Sequence, residues 1–215
     1  MAVGLVVFVI AVDGPAGSGK SSVSKAAAAE LGFGYLDTGA GYRAFTYHAM
    51  QLPEATLDEL IESFDYEITL SPSEQLVLLG GEDITALIRE SDVASQVSKF
   101  AREPRVRALQ LEDARSRVEA SELRGVVVEG RDITTVVYPD APLRVLLTAS
   151  EAVRLTRRGL EQTESSENLK ARDKSDSQVV DFFTPAEGVK LIDTTELNFE
   201  ESVKALTDLY REVNK

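Results

Sequence analysis

The sequence predicts an α/β fold in which a parallel sheet is covered by helices on both faces. Three observations carry this. Five short, mostly apolar runs recur at residues 6–12, 33–37, 126–129, 143–147 and 189–192, and near-continuous apolar runs of this length are the mark of strands buried on both faces. Helix-prone stretches stand between most of them, and strand–helix alternation argues a parallel sheet. The first run leads directly into Gly14-Pro15-Ala16-Gly17-Ser18-Gly19-Lys20-Ser21, which fits G-x-x-x-x-G-K-[ST] and is followed by the helix-prone Ser22-Val23-Ser24-Lys25. Strand, glycine loop, helix is the context that this motif requires.

The spacing of that motif has a physical reason. Glycines let the backbone wrap closely around a polyphosphate, because positive φ costs them little. Successive N–H groups then form an anion nest, and the following helix adds its positive end. Lys20 reaches the β- and γ-phosphates, and the Ser21 hydroxyl is a ligand for Mg²⁺. Gly14, Pro15, Ala16, Gly17, Ser18, Gly19, Lys20, Ser21 and Ser22 are therefore the candidate ATP-binding residues.

Taken in order, residues 33–37 form a short strand ending in the carboxylate of Asp37. Thr38 is placed to cap a helix running to Met50, whose first turn is a second candidate anion site. Pro53 breaks that pattern, and Leu57, Leu60, Ile61 and Phe64 mark a short amphipathic helix. Residues 66–70 and 75–79 flank Ser71-Pro72-Ser73-Glu74 and read as a small β-hairpin ended by Gly80-Gly81. Residues 84–89, 91–102 and 104–121 read as successive helices, with Pro104 in a first turn. Strands return at 126–129, leading into Gly130-Arg131-Asp132, and at 143–147, before Ser150 as a helix cap. A last strand at 189–192 and an amphipathic helix at 199–213 close the chain. Parallel sheets bind ligands beyond the carboxyl ends of their strands, so Gly14, Asp37-Thr38, Arg131-Asp132 and Thr148 should converge.

Composition narrows the function. The chain has 215 residues, no cysteine, one histidine and a net charge of −13. Disulfides and thiolate or multi-histidine metal sites are excluded, and so is broad binding to a nucleic acid polymer. The apolar N-terminus lacks a basic n-region and is too short to span a bilayer. A cytoplasmic, non-membrane protein is the expectation. An anionic substrate then needs a local basic site within an acidic body. Arg154, Arg157 and Arg158 share a helix face, and such like charges repel unless an anion sits among them. The polar stretch between Gly159 and Asn168 is flanked by arginines, which favours a lid, and Arg172 and Asp176 lie i, i+4 beyond it. A loop, a second anion site and a lid suit phosphoryl transfer, which needs positioning and charge neutralisation more than covalent chemistry. A phosphate acceptor arrives largely ionised and needs no general base.

Beyond the loop, the chain carries Leu36-Asp37-Thr38-Gly39-Ala40 with Tyr42-Arg43, Gly81-Glu82-Asp83-Ile84 with Ile88-Arg89, and Ser95-Gln96-Val97. Pro104-Arg105-Val106-Arg107, Gly130-Arg131-Asp132, Arg172-Asp173 with Asp176-Ser177, and Asp193-Thr194-Thr195 follow. In this order and spacing the motifs resemble the bacterial cytidylate kinases, a family of nucleoside monophosphate kinases, over nearly the whole chain. The resemblance implies a P-loop NTPase-type three-layer α/β/α fold with a five-stranded parallel sheet. It also implies a single kinase domain, with core about 1–51, 101–158 and 179–215, an acceptor-binding insert about 52–100 containing the hairpin, and a short lid about 159–178. The implied activity is transfer of the ATP γ-phosphoryl group to CMP or dCMP with Mg²⁺. By matched position, Thr38, Arg43 and Arg131 would hold the acceptor phosphate. Ser95, Arg107 and Asp132 would read the cytosine edge, and Arg172 and Asp176 would meet the ribose. Lys20, Arg131, Arg154, Arg157 and Arg158 would act on the transferring group. The chain departs from the pattern at Val179, where the family carries an arginine, at Thr134, where it carries glycine, and at Gly41, where a bulkier residue is common. The Val179 departure predicts weaker acceptor affinity. The alternatives are a kinase for UMP, AMP or shikimate, a weakly active nucleotide-binding relative, or a nucleotide-dependent switch, although no guanine-reading Asn-Lys-x-Asp is present.

Overall fold

A computed structural model describes residues 7–161 and 183–215. The five predicted strands form one parallel sheet. β1 (Phe8–Asp13) lies at its centre, β6 (Gly125–Gly130) and β7 (Leu143–Thr148) flank it, and β2 (Gly34–Asp37) and β8 (Lys190–Asp193) form the edges. Side-chain alternation sends Val9, Ala11, Val126 and Val128 to one face, and Ile10, Val12, Val127 and Val145 to the other. Both faces are buried at β1 and β6, which is why those strands are largely apolar, whereas the edge strand β8 buries only Ile192.

Helices α1 (Lys20–Leu31) and α7 (Phe199–Val213) cover the second face. On the first lie α2 (Thr38–Gln51) and α5 (Pro104–Glu119), whose Ala40, Ala44, Ala114 and Val118 meet Leu36 and Val128. A third apolar cluster, with Phe45, Leu60, Phe100 and Val106 fully or nearly buried, joins α2 and α5 to α3 (Leu57–Glu62) and α4 (Ser91–Ala101). Helix α6 (Glu151–Glu161) follows β7. Among the described residues, no helix is long and apolar enough to cross a membrane.

The hairpin is larger than predicted and its strands are shorter. β3 (Tyr66–Ile68) pairs antiparallel with β4 (Val77–Leu79), and β4 pairs in turn with β5 (Glu82–Asp83). Gly80 and Gly81, at φ 56° and 82°, make a two-residue turn into a third strand; positive φ at both central positions defines the hairpin turn of type I′. Nor is 84–89 a helix. The Asp83 carboxylate accepts from the Thr85 N–H at 2.9 Å and the Thr85 hydroxyl accepts from the Val77 N–H at 2.8 Å. Only a 3₁₀ turn at Leu87–Arg89 remains, because such side-chain bonds compete with helical ones.

Candidate active site

The carboxyl ends of β1, β2 and β6 open into a cavity of about 780 Å³. Among the described residues, eight lysine and arginine side chains line it against three carboxylates, a local excess of positive charge in a chain of net charge −13. Charge of this kind, focused in a cleft, selects anionic ligands.

The phosphate loop forms one end. Gly17 and Gly19 sit at φ 76° and 87°, and Gly19 is the N-cap of α1, so the backbone turns as an anion nest requires. Gly14 is glycine for a different reason: a Cβ there would stand 2.1 Å from the Leu147 carbonyl oxygen. Three guanidinium groups hold alternate loop carbonyls. Arg131 Nη1 donates to Gly14 O at 2.7 Å, Arg154 Nη1 to Ala16 O at 2.9 Å, and Arg157 Nη1 to Ser18 O at 3.3 Å. Arg157 is itself fixed by Thr194, donating to its hydroxyl and its carbonyl at 2.9 Å each. The loop is thus braced in place by positive charge.

Glu129, at the end of β6 and buried, stands beside the loop. Its Oε1 accepts from the Ser21 hydroxyl at 2.7 Å and from the Tyr35 hydroxyl at 3.0 Å. Its Oε2 is buried without a hydrogen-bond partner among the described residues, 3.7 Å from Lys20 Nζ. Burial, with Glu129 close by, pushes the Tyr35 phenol well above its usual range, so it remains a donor.

Charged pairs form the other end. Asp37 caps α2, its Oδ1 accepting from the Ala40 N–H at 3.1 Å, and its Oδ2 accepts from Arg43 Nη2 at 2.8 Å. Burial acts to raise the Asp37 pKa, but Arg43, Arg89, Lys20 and the Ala40 N–H together hold it below the ordinary value. Thr38 is therefore not the cap but the first helical residue, and its hydroxyl donates to Glu129 O at 2.9 Å. An aspartate in extended conformation at a strand end reaches the third helical N–H, which leaves the next side chain free for other bonds. Arg107 Nη2 is ion-paired with Asp132 Oδ2. Burial and the nearby Asp132 push the Tyr42 phenol up to about 12.

The structure thus brings Gly17, Ser18, Gly19, Lys20, Ser21, Ser22, Thr38, Arg43, Arg107, Arg131, Asp132 and Arg157 to one cavity. Gly14, Pro15 and Ala16, at the start of the loop, and Arg154, which holds it, do not line that cavity. Ser95 is exposed, its hydroxyl donating to Asp92 O at 2.8 Å, while its helix neighbours Ala94 and Val97 line the wall. The Arg158 side chain, Arg172, Asp176, Val179 and most of the predicted lid lie outside the described residues. Sequence reasoning missed Glu129 as a site residue, although three valines ending in an acid just before Gly130-Arg131-Asp132 are its signal. It also missed Arg89, Arg102 and Phe199, all lining the cavity; Phe199 reads in sequence only as the start of an amphipathic helix.

A centrally placed phosphate loop on a five-stranded parallel sheet, facing a basic cleft, defines a P-loop kinase-type α/β protein. The family model for cytidylate kinase matches residues 10–212. The cytidylate kinase of Desulfitobacterium hafniense is 43% identical over 94% of this chain and 92% of its own. That of Cutibacterium acnes is 42% identical over 94% and 95%. The chain belongs to the cytidylate kinase family. Among solved structures, a gluconokinase from Sinorhizobium meliloti shares the fold at a TM-score of 0.50 and 17% identity, over 98% of this chain and 97% of its own.

Proposed function

We propose that this protein transfers the γ-phosphoryl group of ATP to CMP or dCMP, giving ADP and CDP or dCDP. The observation that carries this reading is one continuous cavity with the phosphate loop at one end and the Arg107–Asp132 pair at the other. The loop and Lys20 take the donor phosphates. Thr38, Arg43 and Arg131 receive the acceptor phosphate. Asp132, steadied by Arg107, accepts from the exocyclic amine of cytosine. A carboxylate in that place disfavours uracil, whose carbonyl would leave two acceptors face to face. Ser95 is the third base-reading residue by resemblance, and Arg172 and Asp176 take the ribose. By resemblance, Arg157 and Arg158 act on the transferring group, and Arg154 acts through the loop carbonyl it holds.

The donor set beside the loop fits Mg²⁺. The Ser21 hydroxyl and Glu129 Oε2, which has no hydrogen-bond partner among the described residues and lies 3.7 Å from Lys20 Nζ, are hard oxygen donors, and Mg²⁺ is commonly held by one or two protein oxygens together with substrate phosphates. When bound, the ion neutralises charge on the β- and γ-phosphates. Lys20 and the loop N–H groups orient the donor, and the arginines opposite orient the acceptor, whose ionised phosphate is the nucleophile. Residues 52–100 form the acceptor-binding insert and 159–178 the lid of a single, monomeric, cytoplasmic kinase domain whose partners are small nucleotides.

Coupled ADP-release assays with CMP, dCMP, UMP, AMP and shikimate test the reading. Turnover with CMP or dCMP well above the other acceptors is expected, and no turnover with either cytidine nucleotide overturns it.

A further inference from the structure

Two buried residues outside the cavity link its two halves. Asp13 and Thr134 are 3% and 4% exposed, and neither lines the cavity. Asp13 ends β1 and immediately precedes the phosphate loop. Its carboxylate accepts three hydrogen bonds, all from the segment that follows Arg131 and Asp132: Ile133 N–H at 2.8 Å, Thr134 N–H at 2.8 Å and the Thr134 hydroxyl at 2.6 Å. In the opposite direction, Arg131 Nη1 donates to Gly14 O at 2.7 Å. Donor loop and acceptor segment are therefore cross-linked twice, once in each direction.

The acceptor segment has an unusual backbone. Ile133–Val137 is a single π-helical turn, closed by Val136 and Val137 N–H groups on Asp132 O and by Tyr138 N–H on Ile133 O. Turns of this kind are rare and concentrate at functional sites. The first N–H groups of any helical turn have no partner within it, and here Asp13 supplies that partner from a different element. Movement of Asp13 is thereby movement of the turn that carries Arg131 and Asp132. Thr134 contributes one bond through its hydroxyl that no purely backbone contact replaces, and its carbonyl is held in turn by Arg144 Nη1 at 3.2 Å.

We propose that Asp13 and Thr134 form a positioning clamp that couples the donor and acceptor halves, so that a nucleotide settling in the phosphate loop sets Arg131 and Asp132 for the acceptor. The proposal rests on the donor and acceptor assignment above. Coupling of this kind is reciprocal: the donor tightens acceptor binding by the same factor as the acceptor tightens donor binding.

The test is calorimetric titration of CMP with and without a non-hydrolysable ATP analogue, for the unaltered protein, Thr134→Val and Thr134→Ser, with thermal melting of each. In the unaltered protein the analogue tightens CMP binding by a factor of about five or more. Thr134→Val lowers that factor at least about threefold while CMP binding alone changes less than about twofold, and Thr134→Ser keeps it, because serine retains the hydroxyl that valine lacks. If Thr134→Val fails to fold, Thr134→Gly removes the hydroxyl while leaving both backbone bonds, and the same fall is expected. An unaltered protein that binds CMP with no effect of the analogue, or a hydroxyl-free variant that keeps the full factor, overturns the clamp alone. Failure of the unaltered protein to bind CMP under either condition overturns the functional reading as well.

Discussion

At the phosphate loop the cavity wall is backbone braced from behind by Arg131, Arg154 and Arg157, whereas at the opposite end it is arginines already paired with Asp37 and Asp132. The donor end is preorganised: three of its carbonyls are held and Gly17 and Gly19 are already in left-handed conformation, so a polyphosphate meets a formed cradle. The acceptor end is self-satisfied. A ligand there must share or displace existing ion pairs, and such an exchange converts part of its binding energy into discrimination, because a wrong ligand leaves a buried charge imperfectly paired. On the proposed assignment, generic affinity resides in main chain, and selectivity in a few exchangeable side chains.

The largest effect that sharpens this contrast is at Lys20. It lines the cavity and stands 3.7 Å from the carboxylate of Glu129 at the end of β6. Lys20→Met is expected to lower kcat by about 10²–10³-fold, the usual consequence of removing one preorganised charge from a transferring group, with a melting temperature close to that of the unaltered protein. Steady-state kinetics and calorimetric melting on the same preparation check it. A variant that unfolds instead would mean that the donor end depends on Lys20 for its shape.

An intermediate effect is expected at the other end. Asp132→Asn keeps the size of the side chain but removes the charge that pairs with Arg107, and an amide can turn to offer either a donor or an acceptor to the base. The ratio of kcat/KM for CMP to that for UMP should fall by about 10–100-fold, the range expected when one buried polar contact loses its match. KM for ATP should stay within about twofold. Equal losses for both pyrimidines would show that Asp132 shapes the site without reading the base.

This division also explains what was legible in the sequence. The donor end is written locally, in eight consecutive residues after an apolar run, and the parallel sheet follows from the apolar character of its five strands. The acceptor end is assembled from β2, α2, α5 and the turn after β6, so only resemblance pointed to Thr38, Arg43, Arg107 and Asp132 as a group. Three features escaped for physical reasons. Glu129 is a carboxylate at the end of a buried strand, and its partners Ser21 and Tyr35 are 108 and 94 residues away. Asp37 rather than Thr38 caps α2, because both are good caps and only the strand geometry decides between them. The third antiparallel strand is two residues long, below what periodicity detects, although Gly80-Gly81 carries the signature of the turn that leads to it.

The smallest effect separates stability from function at the junction of the two ends. Burial raises the Asp13 pKa from 3.8 to about 6, partly opposed by its bonds from Thr134 and Ile133, and Asp132 adds to the rise. A carboxyl whose pKa is higher folded than unfolded adds stability that is fully present below pH ~4 and is lost as pH climbs through about 6. A rise of about two units corresponds to on the order of 3 kcal/mol, at ~1.4 kcal/mol per unit. Denaturant unfolding between pH 4 and 7 should therefore show the unaltered protein gaining on Asp13→Asn as the solution is acidified, by up to that amount; parallel profiles would show that Asp13 titrates alike in the folded and unfolded chain. At neutral pH the ionised carboxylate costs stability, while giving the turn after Asp132 the strongest acceptor available for two N–H groups and a hydroxyl. A buried charge kept at such a cost is what a positioning role between the rigid donor end and the exchangeable acceptor end would require, since local strain of this kind persists where function depends on the geometry it enforces.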